Sequence, residues 1–192
     1  MNFATIKKFD VANGPGVRVS LFVSGCNHRC KGCFNAEAWD FDYGEKYTDK
    51  TEEEILAALD HGFISGLSLL GGEPFDPKNQ PCVASLLKKV KERYPQKDVW
   101  CYTGYTFDKD LVKGGAAYTE YTDVMVSRID VLVDGKFVEE LKDVKLRFRG
   151  SSNQRIIDVK RSLEEGRVRL WLDGGIGGSY YTDEDLAKGK KV

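Results

Sequence analysis

The apolar positions of this chain fall in short runs separated by polar, periodic stretches. Residues 17–23 (VRVSLFV) are rich in β-branched and aromatic side chains and predict a buried strand. Thr51 with Glu54 three residues on is a capping-box pattern. With Thr51 as N-cap it predicts a helix to about Asp60, stopped by His61-Gly62. Residues 66–70 (GLSLL) predict a second strand, ending in Gly71-Gly72-Glu73-Pro74. A second helix is expected over 79–94, closed by Pro95. Residues 99–102 (VWCY) predict a third strand, a short helix follows around 108–112, and 129–133 (IDVLV) predict a fourth strand. Residues 155–159 and 168–172 read as further strands or extended segments.

Strands alternating with helices predict an α/β fold with a parallel sheet and right-handed crossovers. Cys26 follows the first strand, Gly71 the second, Thr103 the third and Asp134 the fourth. The carboxyl ends of parallel strands form the active face of such folds, so these scattered segments are expected side by side. A closed eight-stranded barrel takes about 250 residues. With 192 residues, one domain forming an open or incomplete barrel is expected.

Composition narrows the class. Apolar residues make up 41% and charged residues 31%, the balance of a soluble globular protein. A formal net charge of −1 offers no basic excess, so no nucleic-acid partner is expected. The longest apolar runs are too short to cross a bilayer, and no apolar stretch follows the lysines of the first ten residues. No membrane association is expected, and the expected location is cytoplasmic. The five cysteines are an odd number, and three of them crowd into eight residues, unlike a secreted disulfide framework.

Those three, Cys26, Cys30 and Cys33, are spaced C-x3-C-x2-C. Thiolates on one short loop favour soft metal centres, chiefly iron–sulfur clusters, zinc and Cu(I). Three thiolates on a four-iron cluster leave one iron without a protein ligand, which is the opening a catalytic centre needs. A structural zinc site with His28, Cys82 or Cys101 as fourth ligand is the alternative, although zinc sites usually present two separated ligand pairs. An electron-transfer module would normally supply four thiolates.

The cysteine motif followed by Phe34, with Gly71-Gly72-Glu73-Pro74 after the next strand, resembles the radical S-adenosylmethionine superfamily. Gly14-Pro15-Gly16-Val17-Arg18, Phe34-Asn35 and Trp39-Asp40 narrow the resemblance to activases of glycyl radical enzymes. Within these the chain is most similar to the activating proteins of anaerobic ribonucleoside-triphosphate reductase. The segments that carry this are 26–35, 69–75, 100–107, 130–137 and 146–158. The resemblance covers about 14–159; the tail 161–192, with its glycine-rich 174–178, carries no recognised motif.

The resemblance implies a partial (β/α) barrel of the radical S-adenosylmethionine type, open on one side. It implies a 4Fe–4S cluster on Cys26, Cys30 and Cys33 whose open iron chelates S-adenosylmethionine. Reductive cleavage would give methionine and a 5′-deoxyadenosyl radical, which takes a hydrogen atom from a glycine of the reductase. A reduced flavodoxin- or ferredoxin-like protein would donate the electron. Phe34 is expected near the adenine. Gly71 and Gly72 would let backbone approach the methionine end. Glu73 would accept from the methionine ammonium or shape its loop. Thr103 would contribute a hydroxyl. Asp134 and Lys136 match an Asp-x-Lys pattern near cofactor or peptide, although Asp134-Gly135 also reads as a hairpin turn. Cys82 and Cys101 read as small buried hydrophobes. The competing functions are an activase for pyruvate formate-lyase, a small-molecule enzyme of the deazaguanine-synthase type, and a zinc-stabilised binding protein without catalysis.

Overall fold

The computed structural model describes residues 1–171. It opens with a strand that precedes the expected ones, β1 (Asn2–Asp10), and turns into β2 (Val17–Val23). A two-residue edge, β3 (Glu45–Lys46), leads to α1 (Asp49–Leu59), β4 (Ile64–Gly71) and α2 (Gln80–Arg93). Next come β5 (Asp98–Tyr102), the short helices α3 (Phe107–Asp110) and α4 (Thr122–Val126), β6 (Val131–Asp134), β7 (Arg155–Asp158) and α5 (Val159–Glu165). No helix among the described residues is long and apolar enough to cross a membrane.

The strands form one sheet in the order β3-β1-β2-β4-β5-β6-β7. β2, β4, β5 and β6 run parallel, as the alternating pattern predicts. The margins correct the expectation of a parallel sheet: β1 and β3 pair antiparallel beside β2, and β7 pairs antiparallel with β6. The reason lies in the connections. A parallel pair needs a crossover, whereas residues 11–16 form a short turn, and 135–154 leave and re-enter at the same end of the sheet. The result is an open, mixed α/β sheet with β3 and β7 at its margins. Of the stretch expected to be extended at 168–172, Leu170 bridges Ile157; Leu172, like 174–178, lies outside the described residues.

Side chains alternate across the sheet with the strand period of two. Val19, Leu21, Leu67, Leu69, Val99, Cys101 and Leu132 face one core with Ile55, Leu59, Leu86 and Leu87 of α1 and α2. Trp100, Val131, Val133 and Ile156 form a second cluster, with Tyr102, Phe148 and Trp171 packed on it. Beside it Arg18 is fully buried. It pairs with Asp98 at 2.5 Å, donates to Ser68 Oγ at 2.7 Å, and lies over the Trp100 ring.

α1 is capped three residues before the expected position. Thr48 is the N-cap, and its Oγ1 accepts from the Thr51 backbone while Thr51 Oγ1 accepts from the Thr48 backbone. Thr51 is thus the third helical residue, and Glu54 bridges to Lys8 at 2.9 Å instead of closing a cap. α2 matches its expected span, with Asn79 as N-cap.

Candidate functional site at the strand ends

The parallel strands β2, β4, β5 and β6 deliver their carboxyl ends to one side of the sheet, where a cavity of about 430 Å³ opens. Volumes of this size hold small ligands and cofactors. Cys26, Cys30, Cys33, Phe34, Gly71, Gly72, Glu73 and Thr103 all border it. Asp134 and Lys136 do not, although their neighbours Gly135 and Phe137 do.

The cysteine loop leaves β2 at Val23 and is held from both sides. The Gly25 and Cys26 amides donate to the carbonyls of Ala38 and Trp39 at 2.9 and 3.1 Å. The Gly72 and Glu73 amides donate to the carbonyls of Val23 and Gly25 at 2.7 and 2.8 Å, binding this loop to the one after β4. Asn79 Nδ2 completes the tie, donating to the carbonyls of Ser24 and Glu73, both at 2.9 Å. Glycine is required at Gly72, because a Cβ there would stand 2.6 Å from the Gly25 carbonyl oxygen.

None of the three loop thiols is in a disulfide. Burial pushes the Cys26 thiol up to about 11. It raises Cys30 as well, against the opposing pull of the Lys136 ammonium and the Phe137 amide. Neutral thiols are therefore the resting form of both, and an iron or zinc centre would deprotonate them on binding. Three thiols on one cavity are a donor set of the soft kind that iron–sulfur clusters use. Among the described residues, no three His, Cys, Asp or Glu side chains form a site for a single metal ion.

Glu73 is a heavily engaged polar group at the site. Its carboxylate is 1% exposed and accepts from the Phe75 and Gly104 amides, the Thr103 hydroxyl and His28 Nε2, at 2.8–2.9 Å. Phe34 is 86% exposed beside the cavity. Asp134 is buried and turned to another partner: Arg155 donates from Nε and Nη2 at 2.9 and 2.5 Å, and the Phe107 amide at 2.8 Å. Gly135 follows with φ +99°, yet β6 and β7 are joined by a long excursion and not by the tight hairpin that Asp-Gly suggests. Lys136 is exposed. Cys101 is fully buried in the sheet, and Cys82 is half-buried on α2.

The sequence reading passed over part of the wall. Lys142, Leu146, Phe148, Arg149 and Gln154, from the excursion before β7, border the cavity. For the last four the only sequence signal is that 146–158 is one of the segments that carry the resemblance; Lys142 lies outside it and has none.

Residues 12–157 match the family model described as a 4Fe-4S single cluster domain. A protein of Vibrio cholerae named anaerobic ribonucleoside-triphosphate reductase-activating protein is 44% identical over 156 residues, 80% of this chain and 96% of that one. Proteins of the same name from Escherichia coli and Enterobacteria phage T4 are 42% and 40% identical. They align over 80% and 81% of this chain and over 96% and 93% of their own lengths.

Proposed function

Because the chain belongs to the family of anaerobic ribonucleoside-triphosphate reductase-activating proteins, we propose that Cys26, Cys30 and Cys33 hold a 4Fe–4S cluster with which it activates that reductase. The observation that carries the assignment is the opening of all three loop thiols onto one cavity bordered by the Gly71–Glu73 loop. Held by Cys26, Cys30 and Cys33, the cluster would supply the electron for reductive cleavage of S-adenosylmethionine, and with it the radical chemistry that takes a hydrogen atom from a glycine of the reductase.

The chain's own residues bind and orient. Gly71, Gly72 and Thr103 line the cofactor's part of the cavity, and Phe34 covers the adenine. Glu73, saturated by protein donors, fixes the loop geometry. Asp134 acts by holding Arg155, and Lys136 by the positive charge it brings near Cys30. The open sheet is the partial barrel of the radical S-adenosylmethionine type, supported by four parallel strands whose carboxyl ends carry the site. Its open side admits the glycine-bearing segment of the reductase, whose body then keeps water from the reacting centre. The electron comes from a reduced flavodoxin- or ferredoxin-like donor. Exposed Arg29, Lys136 and Lys142 around the cysteine loop suit an acidic partner of that kind. The protein works in the cytoplasm, the reducing compartment in which clustered thiols persist.

The names of the relatives do not favour a formate-lyase activase or a small-molecule enzyme. Anaerobic reconstitution tests the cluster. About four irons and four sulfides per chain are expected, with loss in each of Cys26→Ala, Cys30→Ala and Cys33→Ala and retention in Cys82→Ala and Cys101→Ala. A colourless protein that takes up zinc alone would refute the assignment.

A further inference from the structure

The cysteine loop is tied down by side chains that carry no thiol. Asn27 Nδ2 donates to Asp76 Oδ2 at 2.8 Å, and Lys31 meets Glu139 at 3.0 Å. His28 makes the most buried of these ties. Its side chain is 16% exposed, and Nε2 lies 2.9 Å from Oε2 of Glu73. The ring meets that of Tyr105 edge-on, with centroids 4.4 Å apart. Gly104 makes room for it, since a Cβ there would stand 2.5 Å from Cδ2 of His28. The other partners of Glu73 are all donors, and an ionised carboxylate only accepts, so the imidazole carries its proton on Nε2.

The next residue supplies an independent sign of constraint. Arg29 has φ +48°, a left-handed conformation that a non-glycine residue keeps only where its surroundings impose it. Arg29 is itself exposed, so the constraint comes from its neighbours. His28, clasped between Glu73, Gly104 and Tyr105, is the neighbour that is fixed.

We propose that His28 is a positioning residue of the cysteine loop. Its Nε2–H bond to Glu73 and its ring against Tyr105 hold the chain between Cys26 and Cys30 to the loops after β4 and β5. Both thiols are thereby kept on the cavity. This inference rests on reading Cys26, Cys30 and Cys33 as the cluster ligands. The bond also links the two motifs directly, because the carboxylate that His28 grips belongs to the Gly-Gly-Glu-Pro segment.

Two substitutions in the full chain separate the bond from the packing. His28→Phe keeps a ring against Tyr105 and loses the donor; His28→Gln restores an N–H donor and loses the ring. Hydrogen exchange of the amides of 26–33, measured with and without iron and sulfide, is the first readout. A bond to a charged group lost from a buried site corresponds to roughly tenfold or more in a local opening equilibrium. His28→Phe is expected to speed exchange of this segment by at least that factor, with His28→Gln near the wild type and the global unfolding midpoint little changed in both. The second readout is the electron paramagnetic resonance spectrum of the reduced cluster. His28→Phe is expected to broaden it and blunt its response to S-adenosylmethionine, and His28→Gln to restore both. Unchanged exchange in His28→Phe would overturn the proposal. Wild-type protein that takes up no iron would instead overturn the ligand assignment, and the exchange measurement on the iron-free chain would still decide the role of His28.

Discussion

The α-carbon of Gly72 lies against the carbonyl oxygen of Gly25, so close that a Cβ would stand 2.6 Å from it and 2.9 Å from the carbonyl oxygen of Ala38. Gly25 immediately precedes Cys26, and its carbonyl already accepts from the Glu73 amide. A methyl group at position 72 therefore pushes on the base of the cysteine loop. Gly72→Ala is expected to cost about 1–3 kcal/mol of stability and to lower the iron content of reconstituted protein. Full iron content with only S-adenosylmethionine affinity reduced would show that the glycine serves the cofactor and not the loop.

Asp134 and Arg155 make a prediction about stability. Removing the guanidinium leaves a 1%-exposed carboxylate with the Phe107 amide alone. Arg155→Ala is expected to destabilise the fold by about 3 kcal/mol in urea unfolding, discounted from a fully buried pair because Arg155 is partly exposed. Asp134→Asn, which keeps an acceptor for the Phe107 amide, should cost less. An Arg155→Ala loss below about 0.5 kcal/mol would mean that the pair is decorative.

Acid should weaken the protein through two carboxylates. Burial alone would raise Asp10, but the nearby Ser20 hydroxyl and the hydrogen bonds from Asn13 and the Ala12 amide outweigh it and hold the acid below its ordinary 3.8. At Asp108 the Arg155 guanidinium outweighs burial in the same way. A lowered folded value contributes stability that is present above 3.8 and lost as pH falls from there through the folded value. Stability measured from about pH 5 down to about pH 2 should therefore fall less steeply in an Asp10→Asn/Asp108→Asn double variant than in the wild type. Parallel curves would contradict this.

The buried Cys26 thiol, pushed up to about 11, should alkylate slowly in the iron-free chain at neutral pH, and its rate should climb steeply as pH approaches that value. Rapid modification of Cys26 at pH 7 would show the loop to be open without its cluster.

The sequence showed the middle of the sheet best. β2, β4, β5 and β6 are short apolar runs, and each is followed by a residue that chemistry singles out, so their shared face could be inferred. β1 escaped because much of it is solvated: Thr5, Lys7, Lys8 and Phe9 are exposed, and little of the apolar signal remains. The antiparallel turn of β7 depends on where the 135–154 excursion returns, which no local pattern encodes. At the site, the cysteines and the Gly-Gly-Glu loop were legible because their residue types are chemically distinctive. The ties from His28 to Glu73 and from Asn79 to Ser24 were not, because they join residues 45 and 55 positions apart through ordinary polar side chains. Asp134 is expected near cofactor or peptide from its Asp-x-Lys pattern at a strand end; its carboxylate is held by Arg155, a partner 21 positions on that no local pattern indicates.

The central claim is that this chain places a radical on a glycine of anaerobic ribonucleoside-triphosphate reductase, and one mixture tests it. Reduced, reconstituted protein is combined with S-adenosylmethionine and the reductase, frozen, and recorded by electron paramagnetic resonance. A glycyl doublet on the reductase is expected, together with methionine and 5′-deoxyadenosine formed well above the level without the reductase, and neither with the Cys30→Ala chain. A protein carrying its full cluster that forms no glycyl radical, and whose cofactor turnover does not respond to the reductase, would contradict the account.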